Sequence, residues 1–183
     1  MAARKSADCT PEEHATFEAT LFQLDPTENI GSGILLALPR DVSTTLPTRG
    51  MALISGTING APFQAVLEPD GRGSHWFKVS EALRAAAKAD VGDTVTLEIA
   101  PTRDWPEPKV PQDVQQALAA SPEAEALWKD ITPLARWDWI RWIGATRNPP
   151  TRRRRVDVAI DKLTAGKRRP CCFDRSQCTL TDA

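Results

Sequence analysis

Residues 51–67 read Met-Ala-Leu-Ile-Ser-Gly-Thr-Ile-Asn-Gly-Ala-Pro-Phe-Gln-Ala-Val-Leu, two apolar-rich runs flanking Asn59-Gly60. Asn-Gly best tolerates the positive φ angles of a type I′ turn, so residues 51–58 and 61–67 are predicted to form a β-hairpin. On the N-terminal side, residues 17–24 partly alternate apolar and polar side chains, and residues 34–38 are a short apolar run bounded by Gly33 and Pro39. Both read as strands, with a helical turn at residues 39–46. On the C-terminal side, Asp70-Gly71-Arg72-Gly73 is a turn before a strand at 74–79. Ser80 is placed to cap a helix over 81–89, and Val91-Gly92-Asp93 leads into an alternating strand at 94–99. Six or so short strands with tight turns predict a small closed β-barrel, because closure removes the edges such strands would expose.

Four prolines, Pro101, Pro106, Pro108 and Pro111, then interrupt the pattern and mark a connector over 101–110. Beyond it, helix starts are read at Pro111, Ser121-Pro122, Thr132-Pro133 and Thr151, the last leading a helix with an apolar stripe at Val156, Ala159, Ile160 and Leu163 that Gly166 ends. The predicted organisation is a polar N-terminus (1–16), a barrel domain (17–100), the connector, a helical extension (111–166) and a basic, cysteine-containing tail (167–183).

The chain has 183 residues, 41% of them hydrophobic, enough to bury a core but short for two large domains. No run approaches the roughly 18 apolar residues of a membrane span, and residues 1–16 lack the apolar stretch of a signal peptide, so a cytoplasmic location is expected. Cys9, Cys171, Cys172 and Cys178 all lie near the termini, which favours reduced thiols over disulfide staples. The net charge of −1 conceals an asymmetry. Residues 1–130 carry 11 Lys and Arg against 19 Asp and Glu, net −8, and residues 131–183 carry 12 against 5, net +7. The basic part either faces an anionic partner or lies against the acidic part.

Three stretches together carry a resemblance. Gly56-Thr57-Ile58-Asn59-Gly60-Ala61-Pro62-Phe63, Gly73-Ser74-His75, Leu83-Arg84 and Gly92-Asp93-Thr94-Val95 resemble an uncharacterised small barrel domain of the double-split type. Trp142-Ile143-Gly144-Ala145-Thr146-Arg147, with Thr151 through Val156 and Leu163 through Lys167, and then Arg168-Arg169-Pro170-Cys171-Cys172-Phe173, are similar to the YdeI or OmpD-associated, bacteriocin-protection family. Arg147 stands where that family usually has lysine, and Pro150 where it usually has glutamate. The resemblance implies a barrel with a helical extension and a protective role, and it implies no established reaction.

His75 fits a ligand-binding or proton-transfer role at the barrel mouth, or a plain hydrogen bond to a loop backbone. With only His14 and His75 in the chain, no nucleophile, base and orienting-acid set assembles, and an enzyme is not expected. Gly31-Ser32-Gly33 and Gly71-Arg72-Gly73 are too short for phosphate loops. Trp128, Trp137, Trp139 and Trp142 read as core side chains packing the short helices onto the barrel, with Trp139 the candidate for an exposed aromatic ligand contact. Arg147 and Arg152 to Arg155, notably Arg152, Arg154 and Arg155, are candidates for gripping a phosphate or carboxylate, or for pairing with barrel acids such as Glu98 or Asp104. Cys171, Cys172 and Cys178 fit weak metal or redox ligands, or ordinary tail thiols. The expectation is a binding or stress-protection protein for an unidentified small-molecule or protein ligand, without a cofactor and with no membrane insertion. Nucleic-acid binding through the basic segment is the alternative, and thiol or metal chemistry at the tail ranks after it.

Overall fold

In the computed structural model, which describes residues 14–23, 33–146 and 148–171, the Asn59-Gly60 prediction holds in detail. β3 (Ala52–Ile58) and β4 (Ala61–Pro69) pair with Ile58 opposite Ala61, and Asn59 and Gly60 take φ of 48° and 80°. Asn59 also fastens the turn elsewhere: its side chain accepts from Thr96 N at 3.0 Å and donates to Ala87 O at 3.2 Å.

With β1 (Ala15–Gln23), β2 (Ile34–Ala37), β5 (His75–Val79) and β6 (Thr94–Pro101), the hairpin closes a six-stranded antiparallel barrel in the order β1-β2-β5-β4-β3-β6. Short helices α1 (Arg40–Thr45) and α2 (Glu81–Ala87) interrupt the strand sequence. Inward positions alternate as period 2 requires: Val95, Leu97 and Ile99 of β6 meet Leu21, Leu36, Ile54, Ile58, Leu67 and Phe77 in one core, and Phe63 stacks on Phe77 at 5.4 Å. Gly56 permits closure, since a Cβ there would lie 1.8 Å from the carbonyl oxygen of Glu98 on β6. Pro101 corrects the expected boundary. It still pairs with Ile54 as the last residue of β6, its missing N–H is tolerated at a strand end, and Thr102 N then donates to Leu53 O.

The connector leads to α3 (Gln112–Ala119), α4 (Pro122–Asp130), α5 (Pro133–Gly144) and α6 (Pro149–Thr164). These build a second core from Val114, Leu118, Trp128, Ile131, Trp139, Ile143, Val156, Ala159 and Leu163. α6 begins earlier than Thr151 suggests: Asn148 caps it, accepting from Thr151 N at 3.2 Å, with Pro149 and Pro150 in its first turn. Most of the arginine run therefore lies past the first turn, where the helix dipole disfavours cations little. Leu134, Asp138 and Arg141 share one face of α5. Arg141 reaches Glu68 of β4 at 3.7 Å, and Leu134 and Asp138 border a cavity of about 200 Å³ with Met51 and Leu53 of the barrel side. The opposite face carries Ala135, Trp139 and Ile143 into the helical core. Among the described residues no helix is long and apolar enough to cross a membrane.

Candidate functional site

The basic part of the chain lies against the acidic part. Arg152 pairs with Asp113, Arg168 with Asp130, Arg136 with Glu107 and Arg141 with Glu68, each joining residues 131–183 to residues 1–130. The partners are these acids, not Glu98 or Asp104. Arg155 donates to the carbonyls of Trp142 and Ala145 and lies 5.7 Å over the Trp142 ring. Arg153 and Arg154 remain exposed on α6. Trp139 is wholly buried, with its Nε1 donating to Arg168 O, and offers no surface to a ligand. Arg147, Cys172 and Cys178 lie outside the described residues. Cys171 is exposed and Lys162 Nζ donates to its sulfur at 2.9 Å. Among the described residues no three His, Cys, Asp or Glu side chains gather as metal ligands.

His75 is 2% exposed at the start of β5. Its Nε2 faces Gly50 O at 2.9 Å, and a carbonyl only accepts, so Nε2 carries the proton. Nδ1 is then the acceptor, and Ser43 Oγ of α1 donates to it at 3.0 Å. Ser74 Oγ, 3.2 Å from Ser43 Oγ, spends its own proton on Leu38 O at 2.6 Å. The network binds α1, the 46–50 loop and β5 together. Burial holds the His75 pKa below its ordinary 6.5 by penalising the imidazolium, and Arg141 adds to this. The Gly50 hydrogen bond and the charge of Asp70 oppose it.

A hydroxyl on a neutral imidazole is the first half of a nucleophile relay. Here Ser43 is only 4% exposed, and the place of the orienting carboxylate is taken by the Gly50 carbonyl. The buried pair ties α1 to β5 like a latch.

Above the latch opens a cleft of about 570 Å³, walled by α1, the 46–49 loop and the β4–β5 turn. Arg40, Arg49 and Arg72 border it, together with the hydroxyls of Thr44, Thr48 and Ser74. The Arg40 guanidinium lies over Gly73, where a Cβ would come within 3.5 Å of it and where φ is +98°. Asp70, the nearest acid in sequence to Arg72, is occupied by the turn, its Oδ1 accepting from Arg72 N and Ser74 N. Among the described candidate ligand residues read from sequence only His75 lies here, beside Gly71-Arg72-Gly73, read from sequence as too short for a phosphate loop. The available signal was compositional: residues 17–100 hold four arginines, and three of them, each beside proline or glycine, at the start of α1 or in a loop, meet at this cleft.

A closed barrel followed by a four-helix segment with its own core defines the class, a small barrel protein with a helical extension. Residues 107–166 match the family described as Bacteriocin-protection, YdeI or OmpD-Associated, and residues 17–99 match a domain of unknown function, DUF1905. The helical segment matches the model of the first family and the barrel that of the second, in line with the motif resemblance. No curated protein matches the chain significantly.

Proposed function

We propose that this chain is a non-catalytic binding protein with a protective role, taking a small ligand in the cleft above His75. The observation that carries the reading is the cleft itself. It is of small-ligand size, and its floor is fixed by the His75, Ser43 and Ser74 network, so the site is formed before the ligand arrives. The description of the matched family, bacteriocin protection, supports the protective part. Polynucleotide binding through the basic segment is less well supported, because Arg152, Arg155, Arg168 and Arg169 are held in internal contacts.

The test is a cleft-filling substitution, Thr44→Trp, at an exposed residue of the wall. Small-molecule hits found by ligand-observed NMR on the wild type disappear in this variant, as does any bacteriocin survival conferred by expressing the chain. Hits and survival that persist in Thr44→Trp refute the reading.

A further inference from the structure

The cleft differs from the rest of the surface in how its arginines are used. Elsewhere the arginines of this fold are largely consumed: Arg84 by Asp90, Arg136 by Glu107, Arg152 by Asp113, Arg168 by Asp130 and Arg169 by Asp138. Arg40, Arg49 and Arg72 border one cavity from three separate segments, and among the described residues none of them makes an ion pair. Three like charges converging on one cavity repel one another. That repulsion is relieved when an anion enters, and the planar guanidinium fork matches a carboxylate or phosphate edge.

We infer that the cleft takes a small ligand bearing two or more oxyanion charges, a phosphate monoester or a di- or tricarboxylate, clamped by Arg40, Arg49 and Arg72. This rests on the cleft being the ligand site. The hydroxyl of Thr48 adds a neutral donor beside the three cations. Thr44 Oγ1 now donates to Asp41 O, and Thr48 Oγ1 accepts from Gly50 N and so keeps its own proton to offer. Gly73 holds the left-handed φ of +98° that shapes the turn beneath the Arg40 guanidinium, a conformation that a side chain would strain. The cavity is the size of a metabolite pocket and too confined for a duplex.

The experiment titrates the isotope-labelled full chain with inorganic phosphate, citrate and, as a cationic control, spermidine, at about 0.05 M and again at about 0.5 M salt. The expected result is a saturable shift of the Thr48, Arg49, Arg72, Gly73 and Ser74 amides with phosphate or citrate and none with spermidine. The shift weakens at high salt, and by about tenfold or more in Arg40→Gln/Arg49→Gln/Arg72→Gln. Whichever anion binds more tightly identifies the oxyanion. The replaced residues are exposed, so the melting curve stays near wild type, and single Arg49→Glu repeats the loss if the triple variant proves unstable. Two results overturn the inference: no saturable shift with either anion, or binding indifferent to salt and to the triple replacement. Binding lost in Thr44→Trp but retained in the glutamine variant refutes the anion clamp and leaves the cleft reading intact. Binding retained in both refutes the cleft as well.

Discussion

Arg152 holds Asp113 with two hydrogen bonds, Nε to Oδ2 at 2.8 Å and Nη2 to Oδ1 at 3.1 Å, fixing the start of α6 to the start of α3. The paired guanidinium pulls the Asp113 carboxyl below its ordinary 3.8. The pair therefore stabilises the fold fully above that ordinary value and is lost as pH falls through the lowered one. Both side chains are partly exposed, so solvent screening limits the contribution. Arg152→Glu is expected to cost about 1 kcal/mol, or somewhat more through repulsion, measured by urea unfolding at neutral pH. The cost shrinks once Asp113 is protonated. A reversal that leaves the unfolding midpoint unchanged contradicts this role.

The close approach of Gly56 to β6 gives a sharper test. A methyl at Gly56 meets the Glu98 carbonyl oxygen at 1.8 Å, and neither strand can yield without opening the β3–β6 seam. Gly56→Ala is expected to destabilise by about 3 kcal/mol or more and to shift the Thr57 and Ile99 amide signals. Gly60→Ala tests a different term. The site is open, so only the strain of φ near +80° is felt, at roughly 1 kcal/mol. Equal losses at the two sites rule out the close approach as the cause.

The latch at His75 predicts an acid response. Between the lowered folded-state pKa and the ordinary 6.5, the unfolded chain binds the proton and the folded chain does not, so stability falls as pH drops through that window and is fully present above it. The wild type is expected to lose more thermal stability from pH 7.5 to 5.5 than His75→Gln. Ser43→Ala leaves Nδ1 buried without its donor and costs about 1 to 3 kcal/mol. If Ser43 is only a latch, the folded wild type forms no adduct with a fluorophosphonate probe. Stoichiometric labelling at Ser43 would replace the binding reading with a hydrolytic one.

What the sequence made legible, and what it did not, follows the range of the interactions. Asn59-Gly60, Ser80 and Thr132 act on residues next to them, and the turn and both caps stand as read, with Ser80 accepting from Leu83 N and Thr132 from Ala135 N. Thr151 misled because the next usable cap, Asn148, lies three residues earlier and two prolines tolerate the intervening first turn. The tryptophans were read as packing the helices onto the barrel. Trp128, Trp139 and Trp142 instead pack into the core of the helical segment and Trp137 donates to Pro106 O, while the α5 contact with the barrel includes the charged pair Arg141–Glu68. The cleft was not legible, because Arg40, Arg49 and Arg72 meet only once β2 and β4 have each paired with β5.

The charge asymmetry leads to a prediction about polynucleotides. Net +7 over residues 131–183 suggests a phosphate-binding surface, yet the structure commits much of that charge internally. Arg152, Arg168 and Arg136 pair with acids of the first part, Arg169 pairs with Asp138, and Arg155 is held by two carbonyls. Arg153, Arg154 and Lys167 remain exposed, enough for about two or three phosphate contacts, or a log-log salt slope of roughly −2 to −3 on duplex DNA. The acidic part, net −8, is joined to them through those same ion pairs and repels a long polyanion. Binding to duplex DNA is therefore expected to be non-specific, with a dissociation constant in the micromolar range or weaker at about 0.15 M salt. Arg152→Glu with Arg155→Glu should lower the melting temperature more than it lowers DNA affinity, because those two side chains hold the fold. A fluorescence-anisotropy titration decides it: nanomolar, sequence-selective binding, abolished by the double reversal in a protein that still melts normally, would place the partner on α6 and make nucleic acid the ligand.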